Sequence, residues 1–472
     1  MTDRQPTAAS GSGRLPSDAA AKMRAAGESD DAIAAFTSAL RRLRAGAQTV
    51  MPSAELEPAS DVPTFDDLPD ADGARSLARV AVIKLNGGLA TSMGLQEPKS
   101  LIEAREGRSF LDLIVAQVLA LRARHRVRLP LVLMNSEATR AQTLAALATF
   151  PELRVDGIDP DFVQSMVPKL AESTLEPVSW PANPRLEWCP PGHGDVYSAL
   201  RGSGMLAQLR EAGFTHAMIS NSDNLGARVD ARIAEHVQRE QIPFLMEVVL
   251  GTESDRKGGH IARRRSDGQL VLRETAQTPP GDEDSFRDFG RWRYYNTNTL
   301  WVSLQAVEER LAQGPLELPV IVNRKTVDPR DSASPPVVQL ESAMGAAIGS
   351  FPGARLLQVP RPRLVPVKTT DDLLLLRSDA YATDRDGVLV PMRTPLPYVE
   401  LDKRYCKLID DLDRRFPSGA PSLREADRLI VKGDVTFGAG VVVRGAVTVD
   451  AGEAPLTVVD GSILEGSVSG RS

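Results

Sequence analysis

The sequence predicts an α/β fold, a mostly parallel sheet flanked by helices on both faces, followed by a small C-terminal parallel β-helix domain. Between residue 80 and about 380, apolar runs of strand length alternate with amphipathic helical stretches. That order feeds parallel strands through crossover helices. Further on the pattern changes: Leu429, Val435, Val441 and Val447 recur every six residues, and Gly433 and Gly445 lie twelve apart. A six-residue period with small residues at the corners fits coils of a parallel β-helix. An antiparallel end-sheet is the plainer alternative.

In chain order, residues 1–17 are rich in Ser, Gly, Pro and Thr and read as a disordered tail. The stretch SDDAIAAFTSALRRLRAG then carries every helix signal. Ser29 caps it, Asp30 and Asp31 suit its N-terminus, Arg41, Arg42 and Arg44 its C-terminus, and Gly46 stops it. Ile33, Phe36, Leu40 and Leu43 form one apolar stripe, which over so short a run predicts packing onto the main body in place of a coiled-coil seam. Residues 46–79, with four prolines and many acids, read as an extended connector. Then VAVIKL precedes FLDLIVAQVLALRAR, LVLMN precedes ATRAQTLAALATF, and HAMISN precedes DARIAEHVQRE, before PFLMEVVL follows. The resulting division is 1–79 for the tail, helix and connector, 80–385 for the main domain, and 386–472 for the C-terminal coils.

Composition excludes several functions. The 472 residues carry a formal net charge of −6, which argues against a nucleic-acid or anionic-membrane surface. Cys189 and Cys406 lie far apart and in no CxxC pattern, so neither a disulfide framework nor a cysteine zinc site is expected. No segment approaches the ~18 apolar residues of a membrane span, and the first residues lack the apolar core of a signal peptide. The expected location is the cytoplasm.

The chemistry concentrates in VAVIKLNGGLATSMGLQEPKS, residues 80–100. It is no P-loop, because Lys99 follows Gly94 by five residues with a proline before it. Nor is it a dinucleotide fingerprint, because Gly87 and Gly88 are adjacent and the next strand lacks an acid at its end. What is left is a loop whose glycines let backbone N–H groups approach a nucleotide, followed by a lysine for phosphate oxygens. Asp223, just past the HAMISN strand, is placed to hold Mg²⁺, an ion that favours one or two carboxylates plus phosphate oxygens. His193 lies between glycines in PPGHGD, which exposes its ring to a ligand. Lys368 stands where an apolar run passes into a helix started by Thr369 or Thr370, near a positive helix end.

Taken together, the motifs KLNGGLATSMG, EPKSLI, LVLMNS, PPGHGD, SNSDNLGA, KGG, YNTNTLW, QLESAMGAAI, VPRPRLVPVKTTDDL and KGDVTFG occur in that order from residue 80 onward. In this the chain resembles the eukaryotic-type UTP-glucose-1-phosphate uridylyltransferases, also called UDP-glucose pyrophosphorylases. The resemblance implies a nucleotidyltransferase (Rossmann-like) fold and Mg²⁺-dependent transfer of the uridylyl group of UTP to glucose 1-phosphate, giving UDP-glucose and pyrophosphate.

It further implies that Leu85, Asn86, Gly87 and Gly88 hold the nucleotide, that Lys99 binds the triphosphate, and that Gln164 and Gly192 read the uracil edge. Asp223 would bind Mg²⁺ beside the nucleotide. His193, Lys257, Gly258, Gly259 and Asn298 would lie on the sugar-phosphate side, with Lys368 neutralising the reacting phosphates. Lys99 and Lys368 would be the catalytic pair. Departures from the family pattern are Ala90 for a glycine, Ser222 for an aliphatic residue and Thr299 for an asparagine; none removes a charged participant. The alternatives are a broad UDP-sugar or UDP-N-acetylhexosamine pyrophosphorylase, or a silent nucleotide-sugar binding protein. Homo-oligomer formation through the C-terminal domain is a further expectation.

Overall fold

The computed structural model of the chain describes residues 17–252, 255 and 258–470. The expected tail lies outside these residues except for Ser17, and Lys257 lies outside them as well.

A ten-stranded sheet forms the centre of the molecule. Strand Val80–Asn86 is buried along its whole length and pairs in parallel with His216–Asn221 on one side and Leu131–Asn135 on the other. Asp161–Val163 continues the parallel run. Apart from Lys84 and Asn86 the strand is apolar, because its alternate side chains serve two cores. Val80 and Val82 face a cluster with Phe110, Leu113 and Ile114, while Ala81, Ile83 and Leu85 face another with Tyr197 and Leu200. Helix Phe110–His125 covers the first face and begins at a reciprocal cap between Ser109 and Asp112.

The expectation of a mostly parallel sheet is corrected: the sheet is mixed. Tyr294–Ser303 runs antiparallel to both His216–Asn221 and Phe244–Leu250. The hairpin His260–Arg264 with Leu270–Arg273, and the edge strand Leu56–Pro58, extend it antiparallel. The physical reason lies in the connection between residues 250 and 294, whose described residues hold that hairpin and only the one-turn helix Glu283–Phe286 in place of a crossover helix, so the chain re-enters the sheet in the opposite direction. Leu56–Pro58 comes from the stretch read as connector, which therefore also supplies a strand.

Helix Asp30–Arg44 forms as its signals predict, with Ser29 Oγ accepting from Ala32 N–H at 3.2 Å. It packs on the main body: Met23, Ile33, Phe36 and Leu40 are buried with Val167, Leu170, Cys189 and Val338. In the C-terminal region, strands Tyr398–Leu401, Ser422–Lys432, Val442–Asp450 and Ile463–Ser469 pair in parallel in that order. A second parallel pair joins Val435–Phe437 to Leu456–Val458. Leu429, Val435, Val441 and Val447 are all buried, in one apolar cluster with Val80 and Val82 of the central strand. Among the described residues, no helix is long and apolar enough to cross a membrane.

Candidate active site

Each strand of the parallel run delivers residues to one rim of the sheet. Val80–Asn86 leads into Gly87, Leu131–Asn135 into Ser136, Asp161–Val163 into Gln164, and His216–Asn221 into Ser222 and Asp223. The carboxyl ends of parallel strands are where such sheets take their ligands.

The glycine loop doubles back over this rim. Ala90 N–H donates to Glu97 O at 3.0 Å and Lys99 N–H to Gly88 O at 3.1 Å. Lys99 thereby returns to the strand ends, where its Nζ donates to Asp223 Oδ2 at 2.6 Å. The other oxygen, Asp223 Oδ1, is buried with no partner among the described residues. Ala90 has φ −80° and ψ 28°, an ordinary conformation, so alanine stands there without backbone strain. A Cβ on Gly88 would meet nothing within 4 Å, whereas one on Gly87 would fall 2.4 Å from Gln164 Oε1. Gly87 is thus what lets Gln164 reach the loop, and Gly88 borders open space.

Asn86 and Leu85 serve the sheet with their side chains. Asn86 Nδ2 donates to Asn135 Oδ1 at 2.8 Å and Thr143 Oγ1 at 3.0 Å, and its Oδ1 accepts from Ser222 Oγ at 3.3 Å. Leu85 packs in the apolar cluster. The hydroxyl of Ser222 thus has a structural partner.

Gly192 has φ +81°, and a Cβ there would fall 2.5 Å from Ser342 O; only glycine fits. Next to it, His193 Nδ1 accepts from Met344 N–H at 3.1 Å, which leaves the proton of the neutral ring on Nε2. Burial, together with the charge of Lys368, pushes His193 down to about 4, against a smaller opposing pull from Asp223. At neutral pH the ring is therefore an uncharged hydrogen-bond donor. Asp195, on the same turn, accepts from Ser165 N–H at 2.6 Å and Ser165 Oγ at 3.0 Å.

Lys368 arrives beside Asp223 because Val367 N–H donates to Asp223 O at 3.2 Å. The next helix, Thr370–Arg377, opens with Thr369 as its cap, and Asp372 Oδ2 accepts from the N–H groups of Lys368 and Thr369 at 2.8 and 2.9 Å. The Lys368 side chain is exposed. On the far side, Asn296 N–H donates to Gly259 O at 2.9 Å, which joins the KGG and YNTN segments. Asn298, at φ +52°, exchanges hydrogen bonds with Asn296, backbone to Oδ1 and Nδ2 to Oδ1, each at 2.8 Å. Gly258 precedes Gly259 on that strand entry. Of the expected site residues, only Lys257 lies outside the described ones.

Two charged residues at the site escaped the sequence reading. Lys84, on the central strand, is buried and donates to Ser220 Oγ at 2.8 Å and Ala227 O at 2.7 Å. Burial and the nearby Arg363 push it down to about 7, opposed by Glu247 and Asp223. Its signal was a lysine inside an otherwise apolar strand. Glu274 places Oε2 2.8 Å from where a Gly259 Cβ would stand; burial raises it and the charge of Lys368 partly offsets the rise. No local pattern marks Glu274.

Residues 33–444 match the model of the UTP-glucose-1-phosphate uridylyltransferase family. The chain belongs to this family. It is 37% identical over 448 residues to a probable UTP-glucose-1-phosphate uridylyltransferase of Schizosaccharomyces pombe, covering 93% of this chain and 87% of that protein. The corresponding enzyme of Hordeum vulgare is 38% identical over 462 residues, with 95% and 94% covered. Among solved structures, a mutant UDP-glucose pyrophosphorylase from Leishmania major in complex with UDP-glucose superposes with a TM-score of 0.91 at 41% identity, covering 97% of this chain and 99% of that one. Membership makes the chain a nucleotidyltransferase, and the family match spans every strand end described above.

Proposed function

We propose that this chain joins UTP and glucose 1-phosphate into UDP-glucose and pyrophosphate, with Lys99, Asp223 and Lys368 gathered around the reacting phosphates. The observation that carries the reading is their convergence on one rim, through the Lys99–Asp223 ion pair and the Val367–Asp223 backbone bond. An ionised phosphate oxygen of glucose 1-phosphate attacks the α-phosphorus of UTP in line. A phosphorus–oxygen bond forms as the bond to the bridging oxygen breaks, and the electron pair leaves with pyrophosphate. The nucleophile is already ionised, so no strong base is required. Positioning and fixed positive charge from Lys99 and Lys368 carry the acceleration.

Gln164, beside Gly87, and Gly192, next to His193, fit contact with the base, and neutral His193 fits a hydrogen bond to the sugar phosphate. Asn298, Gly258, Gly259 and Glu274 line the side assigned to the hexose. The residues also fit Mg²⁺. Asp223 Oδ1 is buried and unpartnered, and among the described residues no three acids, histidines or cysteines gather as a metal group. An ion here would be held by Asp223 and substrate phosphates, the coordination Mg²⁺ prefers. When bound, it would neutralise phosphate charge.

The parallel pairing of the C-terminal strands supports reading them as a short β-helix domain after residue 385. Val459 and Ile463 are exposed at its end and support self-association there. Two buried, unpaired cysteines suit the cytoplasm.

The test is pyrophosphate release by purified protein with UTP and Mg²⁺. Rapid release with glucose 1-phosphate, and little with galactose 1-phosphate or N-acetylglucosamine 1-phosphate, is expected. Comparable release with several sugars would make this a broad UDP-sugar enzyme, and none with any would make it a silent binder.

A further inference from the structure

The segment that carries Gln164 is tied down by three consecutive backbone N–H groups, each to a different part of the molecule. Gln164 N–H donates to Asn135 O at 2.7 Å, within the parallel sheet. Ser165 N–H donates to Asp195 Oδ2 at 2.6 Å, on the His193 turn. Met166 N–H donates to Glu28 Oε1 at 3.0 Å. The third anchor comes from the turn between helices Ser17–Ala25 and Asp30–Arg44, well before the first strand of the parallel run.

That turn is held firmly. Gly27 has φ +85°, and Glu28 N–H donates to Met23 O at 3.1 Å. Ser29 Oγ sits 2.4 Å from where a Gly202 Cβ would stand. Asp31 pairs with Arg201 through Arg201 Nε at 2.9 Å to each carboxylate oxygen. Lys22 bonds both Glu187 and, at 2.8 Å, Val178 O. Glu28 is therefore placed by a docked element.

We propose that Glu28 is a positioning residue for base recognition: it fixes Met166 N–H and so holds Gln164 in register against Gly87 and the nucleotide base. The inference rests on the reading of Gln164 as the base contact. Without the Glu28 acceptor, a half-buried N–H loses its partner, and the base-reading segment keeps two anchors of three. The reacting phosphates, held by Lys99, Asp223 and Lys368, are untouched.

The experiment measures steady-state kinetics with UTP and with CTP. Glu28→Ala is expected to raise KM for UTP about tenfold, equivalent to about 1.4 kcal/mol, and to lower the preference for UTP over CTP. The kcat and the KM for glucose 1-phosphate should stay within about threefold. Glu28→Gln, which can still accept from Met166 N–H, should behave like the unaltered protein. Asp31→Asn loosens the same hairpin through Arg201 without touching that bond. If it reproduces the Glu28→Ala effect, or if Glu28→Ala leaves KM and base preference unchanged, the proposal is overturned. Should Glu28→Ala fail to fold, a normal KM and base preference in Glu28→Lys, which replaces the acceptor with a donor, would overturn it equally. Gln164→Ala separates the two readings: if it leaves base preference intact, it is the assignment of Gln164 that fails.

Discussion

Lys368 is the residue whose placement asks most of the surrounding structure. Its backbone is pinned on both sides, by Val367 to Asp223 O and by Asp372 to its own N–H, while its side chain stays exposed. A lysine held this way suits charge that develops during transfer more than ground-state binding. Lys368→Ala should lower kcat about 100-fold or more, the usual cost of removing one such group, with UTP affinity changed only a few-fold. Steady-state kinetics beside direct titration of UTP would show it; normal turnover with weakened binding would reverse the assignment. At this scale the sequence was most informative where a residue closely follows a recognisable strand, as with Gly87 after Val80–Asn86 and Asp223 after His216–Asn221, whereas Gln164 came only with the family resemblance. Glu28 gave no such sign, because it reaches Met166 from a distant part of the chain, and Glu274, though it follows the strand Leu270–Arg273, nears Gly259 only through the pairing of that hairpin.

Among the elements, the strand Phe244–Leu250 does more than add to the sheet. Its Glu247 is fully buried and accepts from Arg363 Nε and Nη2 at 2.6 Å each, and from Trp301 Nε1 at 2.8 Å. Arg363 also donates to Arg228 O at 2.8 Å. This group joins two antiparallel strands to the segment that leads into Lys368. Removing one member strands a buried charge, so Arg363→Met should destabilise the fold by about 3–5 kcal/mol. Arg363→Met combined with Glu247→Leu should recover most of that, because neither charge then needs a partner. Urea unfolding of the single and double variants decides; full additivity would contradict the account. The parallel strands were legible because runs such as VAVIKL are, but for Lys84, apolar on both faces. The direction of Tyr294–Ser303 was not, since a strand buried on both faces reads alike whichever way it runs. Only the hairpin in the connection before it sets that direction.

Over the whole molecule, protons bind differently in the folded and unfolded chains, and the differences have opposite signs. Four of the five histidines are depressed by burial: His193 and His216 to about 4, His260 to about 3, and His236 downward. For these the unfolded chain binds more protons below about pH 6.5, so their contribution to stability is present above that pH and is lost as the pH falls toward the folded values. Glu28, raised to about 7, and Asp195, raised to about 6, are pushed up chiefly by burial. There the folded chain binds more protons, and this stability, full below about pH 4, is lost as the pH rises to the folded values of about 6 and 7. His260 isolates the first sign. Its ring is fully buried, neither nitrogen has a partner among the described residues, and it stacks on Trp292 at 4.7 Å. Arg273 and Arg291 add like charge to the burial that depresses it. His260→Phe keeps the stacking and removes the titration. Between pH 6.5 and 5 it should cancel a loss of up to about 2 kcal/mol, so the drop in Tm from pH 7.5 to pH 5 should be smaller than in the unaltered protein. Glu28→Gln should act with the opposite sign, flattening the decline between about pH 4.5 and 7. Parallel pH curves for His260→Phe and the unaltered protein would mean that His260 takes up its proton inside the fold, and that the stacked pocket opens to water before the chain unfolds.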